Sequence, residues 1–264
     1  MRAPIGRAVS SRCRLPPNPV LSREIAAMRR IAWIAIVAAS LTGAARADDG
    51  SVGLTAPAAL AKDVAAFPKL VAHDAIAGKI NAALVRLDQR VRKARADCMK
   101  SKDADWSRSI EVTMRGPRYL SYLVSDSLSC GGAHPDASSF ALVYDLTTGA
   151  PVDWARLLPR PIVESASLDD AADGSKIGVV ASKTLTALYI AGLGKDVDPS
   201  CKDALSEADL TFVLWLDREA KALAMQTVSL PHGVQACADT VTIDVAKLRE
   251  LGAAPSLIEA LDAK

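Results

Sequence analysis

The sequence predicts an α+β fold, in which an antiparallel sheet built from hairpins packs with amphipathic helices in a single domain. Apolar residues recur at three- and four-residue steps in one long stretch, which is typical of a helix with one buried face. They alternate with polar residues in several short stretches, which come in neighbouring pairs separated by turn residues. Strands that follow each other in local pairs favour antiparallel pairing over a parallel βαβ arrangement.

A segment near the N-terminus is typical of a secretory signal peptide. Arg29 and Arg30 precede an apolar run over residues 31–41, and Ala45-Arg46-Ala47 supplies a small-residue cleavage site. The run is about half as long as the roughly 20 residues that a membrane-spanning helix needs. We therefore predict that residues 1–47 are a presequence and signal peptide, cleaved after Ala47. The mature chain is expected in the periplasm, without a membrane span.

Removal of this segment changes the charge of the chain. The full sequence has a formal net charge of +2. Residues 1–47 contain eight basic residues and one acidic residue, so the rest has 24 basic against 29 acidic residues, a balance near −5. A mildly acidic domain lacks the basic surface that nucleic acid or anionic lipid would require. Nucleic-acid binding is therefore excluded as a function class.

The first predicted elements are a loose segment and a long helix. Residues 48–69 contain glycine and proline but no sustained apolar face, so we predict a mobile N-terminal segment and a domain over residues 70–264. From residue 76 to residue 98 the apolar side chains fall on one helical face. This pattern predicts a long amphipathic helix whose buried stripe includes Cys98.

Three strands are predicted next. Apolar and polar residues alternate over 110–114 and again over 120–124, with the turn pair Gly116-Pro117 between them. The two runs predict a hairpin. A third strand over 140–146 is followed by Gly149, a residue suited to a left-handed turn position.

The second half of the chain is predicted to combine helices with another hairpin. Asp153 can cap a short helix, and a longer helix is expected over 175–191. The runs 210–216 and 223–228 predict the second hairpin. A last strand ends at Asp244, which can cap a C-terminal helix.

Four cysteines remain outside the predicted signal segment, namely Cys98, Cys130, Cys201 and Cys237. An even number in an exported chain favours two disulfides, and four cysteines allow three pairings. We predict Cys98 with Cys130 and Cys201 with Cys237, because each pair joins neighbours in sequence. Cys130 also has the same strand parity as the apolar residues before it, which points its sulfur toward the helical stripe with Cys98. No C-x-x-C or H-x-x-x-H spacing indicates zinc, and no metal or cofactor is predicted.

The most distinctive short stretch is SLSCGGAHPD, which ends at Asp136. One interpretation makes His134 a general base or metal ligand beside Asp136, with Asp126 nearby. We favour another, a disulfide-anchored loop at a binding edge, because the chain has no G-x-S-x-G nucleophile motif. The glycines can reverse the backbone or present N–H groups to an anion, and proline restricts the histidine before it to extended conformations. The predicted ligand-binding residues are Gly131, Gly132, His134, Pro135 and Asp136.

Tryptophans offer a second possible binding surface. Trp106, Trp154 and Trp215 could stack against a sugar ring. Trp215 lies in an apolar strand pattern, however, and is better explained as a core residue. We therefore favour a structural interpretation of these side chains and keep sugar stacking as the alternative.

Several motifs occur in a fixed order along the chain. Ile80-Asn81 lies in the predicted long helix, and the strand YLSYLV is followed by GGAH, by YDLTTG and by WARLL. In this order they resemble the domain of unknown function family 3298, which is found in a lysozyme-sensing anti-sigma factor and in some peptidoglycan deacetylases. The resemblance spans residues 70–251 and implies an α+β fold and a role in the cell envelope. Residues 229–237 depart from the aromatic, glycine-containing segment common at that place in the family.

The resemblance implies a ligand class but brings no catalytic residues. We therefore predict a periplasmic binding module, not an enzyme, that recognises lysozyme-like proteins or peptidoglycan fragments. Two alternatives stay open at this point. One is a small cell-wall hydrolase using His134 and Asp136, and the other is a structural periplasmic protein without a ligand.

Overall fold

Two antiparallel sheets and six α-helices make up the structure, a computed structural model that describes residues 51–132, 135–195, 197–228 and 230–263. These residues belong to one compact unit. The predicted α+β class in a single domain is confirmed. The predicted signal segment, residues 1–47, lies outside the described residues.

The first helix, α1 (Ala75–Cys98), matches the predicted amphipathic helix. It begins where the Asp74 side chain accepts a hydrogen bond from the Ala77 backbone, and its apolar stripe is buried. The packed part of the chain starts earlier than the predicted residue 70. Phe67 is fully buried, and its ring meets Tyr122 edge-on with centroids 5.4 Å apart. A short apolar segment thus packs on the sheet although it has no helical or strand periodicity.

The first sheet contains the predicted hairpin and third strand. It consists of β1 (Asp105–Arg115), β2 (Tyr119–Ser129), β3 (Asp136–Asp145) and the short β4 (Ala150–Pro151), hydrogen-bonded in that order. Gly149 has a φ of 65° in the turn before β4, as its position in the sequence predicts. Both predicted hairpin strands and the third strand are confirmed.

The region after β4 differs from the prediction. Asp153 caps α2 (Trp154–Leu157) as expected, but no single helix occupies residues 175–191. Residues 176–181 form a strand, β6 (Lys176–Ala181), which pairs with β5 (Ser165–Asp170). The helix α3 (Lys183–Gly192) begins only after Ser182, whose hydroxyl accepts a hydrogen bond from the backbone of the first turn. A short apolar run is compatible with the period of a helix and with that of a strand. Here pairing with β5 makes residues 176–181 a strand.

The last third of the chain contains the predicted second hairpin and the predicted last strand. β7, β8 and β9 complete a sheet in the order β5-β6-β7-β8-β9. Asp244 caps the helix after β9, as predicted, and two further helices were not predicted. The elements are α4 (Pro199–Glu207), β7 (Thr211–Asp217), β8 (Ala222–Val228), a 3-10 helix (His232–Cys237), β9 (Thr240–Asp244), α5 (Val245–Glu250) and α6 (Pro255–Asp262).

The two sheets meet where β7 crosses the β1–β2 hairpin. The backbone N–H of Leu216 donates to the hydroxyl of Ser121 at 3.2 Å, and the Thr113 hydroxyl donates to the same oxygen at 2.9 Å. The N–H of Arg218 donates to the Thr113 carbonyl at 2.9 Å. These polar contacts lie beside an apolar core that is continuous across both sheets, so they fix where the sheets cross.

Candidate functional site

A cleft of about 670 Å³ lies between the two sheets, beside the stretch SLSCGGAHPD. One wall is formed by the end of β2 and the start of β3. The other wall is formed by the end of β5, the start of β6, the end of β8 and the 3-10 helix. Ligand sites in proteins typically have volumes of roughly 300–1,000 Å³, so the cleft has the size of a binding site.

The predicted ligand-binding residues take different positions relative to this cleft. Asp136 lies on its wall, as the first residue of β3. Gly131, Gly132 and Pro135 are exposed in the loop between β2 and β3. His134 lies outside the described residues. Among the predicted residues that the structure describes, Asp136 is thus the one that lines the cleft.

The loop before Asp136 is held at its first turn. Cys130 is bonded to Cys98 at the end of α1, as predicted. Gly131 has a φ of 87°, and a Cβ atom at this position would lie 2.8 Å from the Ser101 Cβ. A residue with a side chain would therefore be strained here both by its backbone conformation and by close contact. The positive φ that the glycine pair predicted is found at Gly131.

The second disulfide supports the opposite wall of the cleft. Cys201 in α4 is bonded to Cys237, again as predicted. Cys237 lies between Ala236 and Ala238, which both line the cleft. Each wall is therefore tied to a helix by a covalent bond a few residues away. Two disulfides are typical of extracytoplasmic proteins and favour an oxidising compartment for this domain.

Carboxylates from both walls surround the mouth of the cleft. Asp136 accepts a long contact of 3.5 Å from the Gln235 side-chain amide across the cleft. Asp169 and Asp170 lie at the end of β5, on the other wall. Asp170 forms an exposed ion pair with Lys176 at 2.6 Å. Asp136 has no ion-pair partner among the described residues, so the mouth favours a ligand that carries positive charge there.

Hydroxyl groups line the wall that β2 and β3 form. The Ser125 and Ser139 hydroxyl oxygens lie 3.3 Å apart on neighbouring strands. The Ser138 hydroxyl is buried and has no hydrogen-bond partner among the described residues. Leaving a buried hydroxyl unpaired costs on the order of 1–3 kcal/mol, so a bound group that paired with it would be favoured.

A buried charge cluster lies on the same face of the first sheet as this wall, and its Asp126 is one of the residues that line the cleft. The Arg108 guanidinium donates to Asp126 twice, from Nε at 2.7 Å and from Nη2 at 2.6 Å. Trp106 Nε1 donates to the same carboxylate at 2.8 Å. Asp173 lies 3.4 Å from the guanidinium and also accepts from the Ser175 backbone at 2.8 Å. The side chains of the ion-paired Arg108, Asp126 and Asp173 are all inaccessible to solvent.

Sequence reasoning placed Asp126 beside His134 and missed its partners Arg108 and Asp173. One signal was available, because Arg108 has the same strand parity as the apolar residues Ile110 and Met114. A charged residue in the inward-facing positions of a strand indicates a buried partner. Nothing comparable in the sequence marks Asp173, which reaches the cluster from the β5–β6 turn.

The tryptophans do not form a sugar-binding surface. Trp106 and Trp215 are 3% and 2% exposed and belong to the interior. Trp154 is half-buried and packs against the core. The core interpretation of Trp215 is confirmed. Stacking a sugar on a surface formed by these three side chains is excluded, because two of the rings are not accessible.

Searches for other chemistry in the described residues gave two results. No group of three or more histidine, cysteine, aspartate or glutamate side chains there is arranged to hold a metal ion. Within the same residues, no helix is both long enough and apolar enough to cross a membrane.

The chain has structural neighbours among solved proteins, although no protein-family model and no curated protein matches it. A DUF3298 family protein from Bacteroides fragilis is 14% identical, with a TM-score of 0.42, over 74% of this chain and 76% of the other. A DUF3298 family protein from Pseudomonas aeruginosa is 13% identical, with a TM-score of 0.42, over 63% and 70%. The chain is thus similar to DUF3298 proteins, the family that its sequence motifs resemble.

Proposed function

We propose that this chain is an exported cell-envelope binding module that takes its ligand in the cleft between the two sheets, and that it is not an enzyme. The observation that carries the proposal is the cleft itself. It has a volume of about 670 Å³, carboxylates at its mouth, and a disulfide next to each wall. Sites that are largely formed before the ligand arrives lose little free energy to ordering on binding.

The location in the envelope is supported by two independent features. The four cysteines outside residues 1–47 are all paired in disulfides, which persist in oxidising compartments such as the bacterial periplasm. Arg29, Arg30 and the apolar run that follows are typical of a signal peptide. The domain would therefore meet its ligand outside the cytoplasm.

A peptidoglycan fragment is the ligand class that we favour. Its peptide part offers amino groups for Asp136 at the mouth and amide groups for the serine hydroxyls on the wall. Contact with the sugar part would have to occur without tryptophan stacking, because Trp106 and Trp215 are buried. A basic lysozyme-like protein remains the second candidate, since the acidic mouth would also attract a cationic surface.

The surroundings of the acidic side chains support the proposal that the chain is not an enzyme. Asp126 is among the residues that line the cleft, but its carboxylate is bonded to Arg108 and Trp106 and is inaccessible to solvent, so it is not available as a base. Asp136 has one polar side-chain neighbour among the described residues, Gln235 at 3.5 Å. General acid–base chemistry needs a second positioned group within hydrogen-bond reach of the reacting atoms. The hydrolase alternative would have to recruit His134 for that role.

Calorimetric titration of the exported protein tests this function. Soluble muropeptides and lysozyme are titrated separately into the wild type, into Asp136→Asn and into Glu259→Gln, which removes one exposed charge from α6 instead. Binding of muropeptides should weaken about three- to tenfold for Asp136→Asn only, and more at low salt than at high salt. Cleavage of muropeptides by the purified protein would contradict the proposal, as would the absence of binding to both ligands.

A further inference from the structure

In the part of the chain that the structure describes, the outer edge of β3 has no strand beside it over most of its length. On one side β3 pairs with β2 from Asp136 to Asp145 without a register shift. On the other side the short strand β4 reaches only Tyr144 and Asp145. Among the described residues, the seven positions from Asp136 to Leu142 therefore have a strand neighbour on one side only.

The direction of the unpaired backbone groups follows from the hydrogen bond at the end of this edge. The Val152 N–H donates to the Val143 carbonyl at 2.8 Å, so the backbone groups of Val143 point away from β2. In an antiparallel strand the N–H and C=O of one residue point to the same side, and alternate residues share that side. Ala137, Ser139 and Ala141 thus direct their N–H and C=O groups outward. Within the described ranges, none of the three has a backbone partner on that side.

Over residues 137–142 this edge carries neither the charges nor the prolines that commonly protect a strand from pairing with another chain. Native edges are protected by charged side chains, proline, bulges or a covering segment. Residues 137–142 read ASSFAL, without a charge or a proline. The far edge of the same sheet is covered, because Arg108 in β1 donates to the Asp63 carbonyl at 2.8 Å and accepts from the Ala65 N–H at 3.0 Å.

The open edge coincides with the candidate site. Ala137, Ser138, Ser139 and Phe140 all line the cleft. A strand added to an edge lies about 4.8 Å from its neighbour, whereas sheets that stack face to face need about 10 Å. An extended chain on this edge would therefore lie one strand spacing from the cleft residues Ala137 and Ser139.

We infer that the edge of β3 binds an extended, cationic peptide segment of another protein by strand addition. The backbone of the segment pairs with Ala137, Ser139 and Ala141, and a lysine or arginine side chain lies near Asp136 at the mouth. Main-chain hydrogen bonds supply affinity in this mode of recognition, and side-chain contacts supply selectivity. The inference rests on the proposed function only in using the same cleft, and it names a polypeptide as the ligand.

Hydrogen exchange of the exported protein tests the edge directly. In the free protein the amides of Ala137, Ser139 and Ala141 should exchange much faster than those of Ser138 and Phe140, which face β2. The probe is a set of peptides selected from an immobilised library of random sequences of about nine residues. Selected peptides should be rich in lysine or arginine and should slow exchange at the three outward amides. The same peptides with N-methyl groups at alternate backbone nitrogens should not slow exchange at these amides.

Two variants at one position provide the matched control. Ser139→Ala removes the hydroxyl but keeps the outward N–H, so peptide affinity should fall much less than in a variant that lacks this N–H. Ser139→Pro removes the outward N–H without removing a bond to β2, and affinity should fall about tenfold or more. Protection of the Ser138 and Phe140 amides reports whether β3 stays paired with β2 in each variant. If the proline variant unfolds, the exchange pattern of the wild-type protein with and without peptide still tests strand addition.

Each outcome bears on the inference separately from the proposed function. Outward amides that are already protected in the free protein, or a library that yields no peptide above background, would overturn strand addition. So would a dimer in sedimentation analysis that protects the same amides without peptide. Muropeptide binding that leaves these amides unchanged would support the proposed function and exclude the peptide. Peptide binding without muropeptide binding would support strand addition and exclude muropeptides as the ligand.

Discussion

Asp126 and Asp136 lie on neighbouring strands and differ sharply in their surroundings. Asp126 in β2 is inaccessible to solvent and accepts three hydrogen bonds of 2.6–2.8 Å from Arg108 and Trp106. Asp136 begins β3, is partly exposed, and has the one long contact to Gln235. Two carboxylates close together on one sheet thus have opposite accessibility. The difference separates a carboxylate that supports the fold from one that can meet a ligand.

The comparison also explains why the buried charge cluster at Asp126 matters for the cleft that Asp126 helps to line. Asp173 belongs to the turn between β5 and β6, which follows the cleft residues Asp169 and Asp170. Its contact with Arg108 ties this turn to the first sheet. The buried charges therefore help to set the distance between the two walls. Loss of the cluster should affect both stability and binding, whereas loss of Asp136 should affect binding alone.

The largest effect is expected at Arg108. Arg108→Met leaves Asp126 and Asp173 buried without their cation, and removing one partner of a buried ion pair typically costs ~3–5 kcal/mol. The free energy of unfolding, measured by urea denaturation, should fall by that amount. As a control, replacing Arg108, Asp126 and Asp173 together by apolar residues should cost less than the single change, because no unpaired charge remains. An equal or larger loss of unfolding free energy in the triple variant would contradict the assignment of these residues as a buried, mutually compensating charge cluster.

Removal of the first disulfide should have the second-largest effect on the free energy of unfolding. Replacing Cys98 and Cys130 by alanine frees a loop with a sequence separation of 32 residues. The chain-entropy estimate for this loop size is a loss of roughly 3.5–4 kcal/mol, which denaturation of the double variant would measure. Because Cys130 anchors the loop before Asp136, muropeptide affinity should fall as well. Unchanged affinity would show that the loop is held in place without the bridge.

A third prediction concerns alkaline pH and a buried neutral group. Burial raises the pKa of Tyr189 to about 12, and its hydroxyl donates to the Asp239 carbonyl at 2.8 Å. The folded protein therefore holds this proton more tightly than the unfolded chain, whose tyrosines titrate near pH 10. The resulting stability is present below pH 10 and is lost as the pH rises to about 12. Tyr189→Phe should show a smaller fall in unfolding free energy over that window, and an identical fall would contradict the prediction.

The smallest effect on stability is expected at the mouth of the cleft. Asp136→Asn should change the free energy of unfolding by no more than about 0.5 kcal/mol, because the side chain has no close partner among the described residues. Its effect should appear in ligand binding instead. Asp126→Asn provides the comparison on the neighbouring strand. A loss of stability for Asp136→Asn as large as for Asp126→Asn would remove the distinction between the two carboxylates.

Much of the secondary structure could be predicted because its causes are local. The periodicity of α1, the alternation in β1 and β2, and the capping positions of Asp153 and Asp244 depend on residues within a few positions of each other. The pairing of Cys98 with Cys130 also followed from strand parity together with helical periodicity. The prediction over residues 175–191 was wrong, because a short apolar run acquires its state from the strand that pairs with it.

The site could be predicted only in part. The sequence by itself determined the α+β class, the two disulfides and the presence of an acidic residue just after the glycine loop. The tertiary structure alone decided that Asp136 faces a cleft, that Arg108 and Asp173 meet Asp126, and that β3 keeps an open edge. These features arise between residues far apart in sequence, and no local pattern specifies which walls will face each other. Local periodicity sets which side of an element is buried, whereas packing of distant elements sets what that side meets.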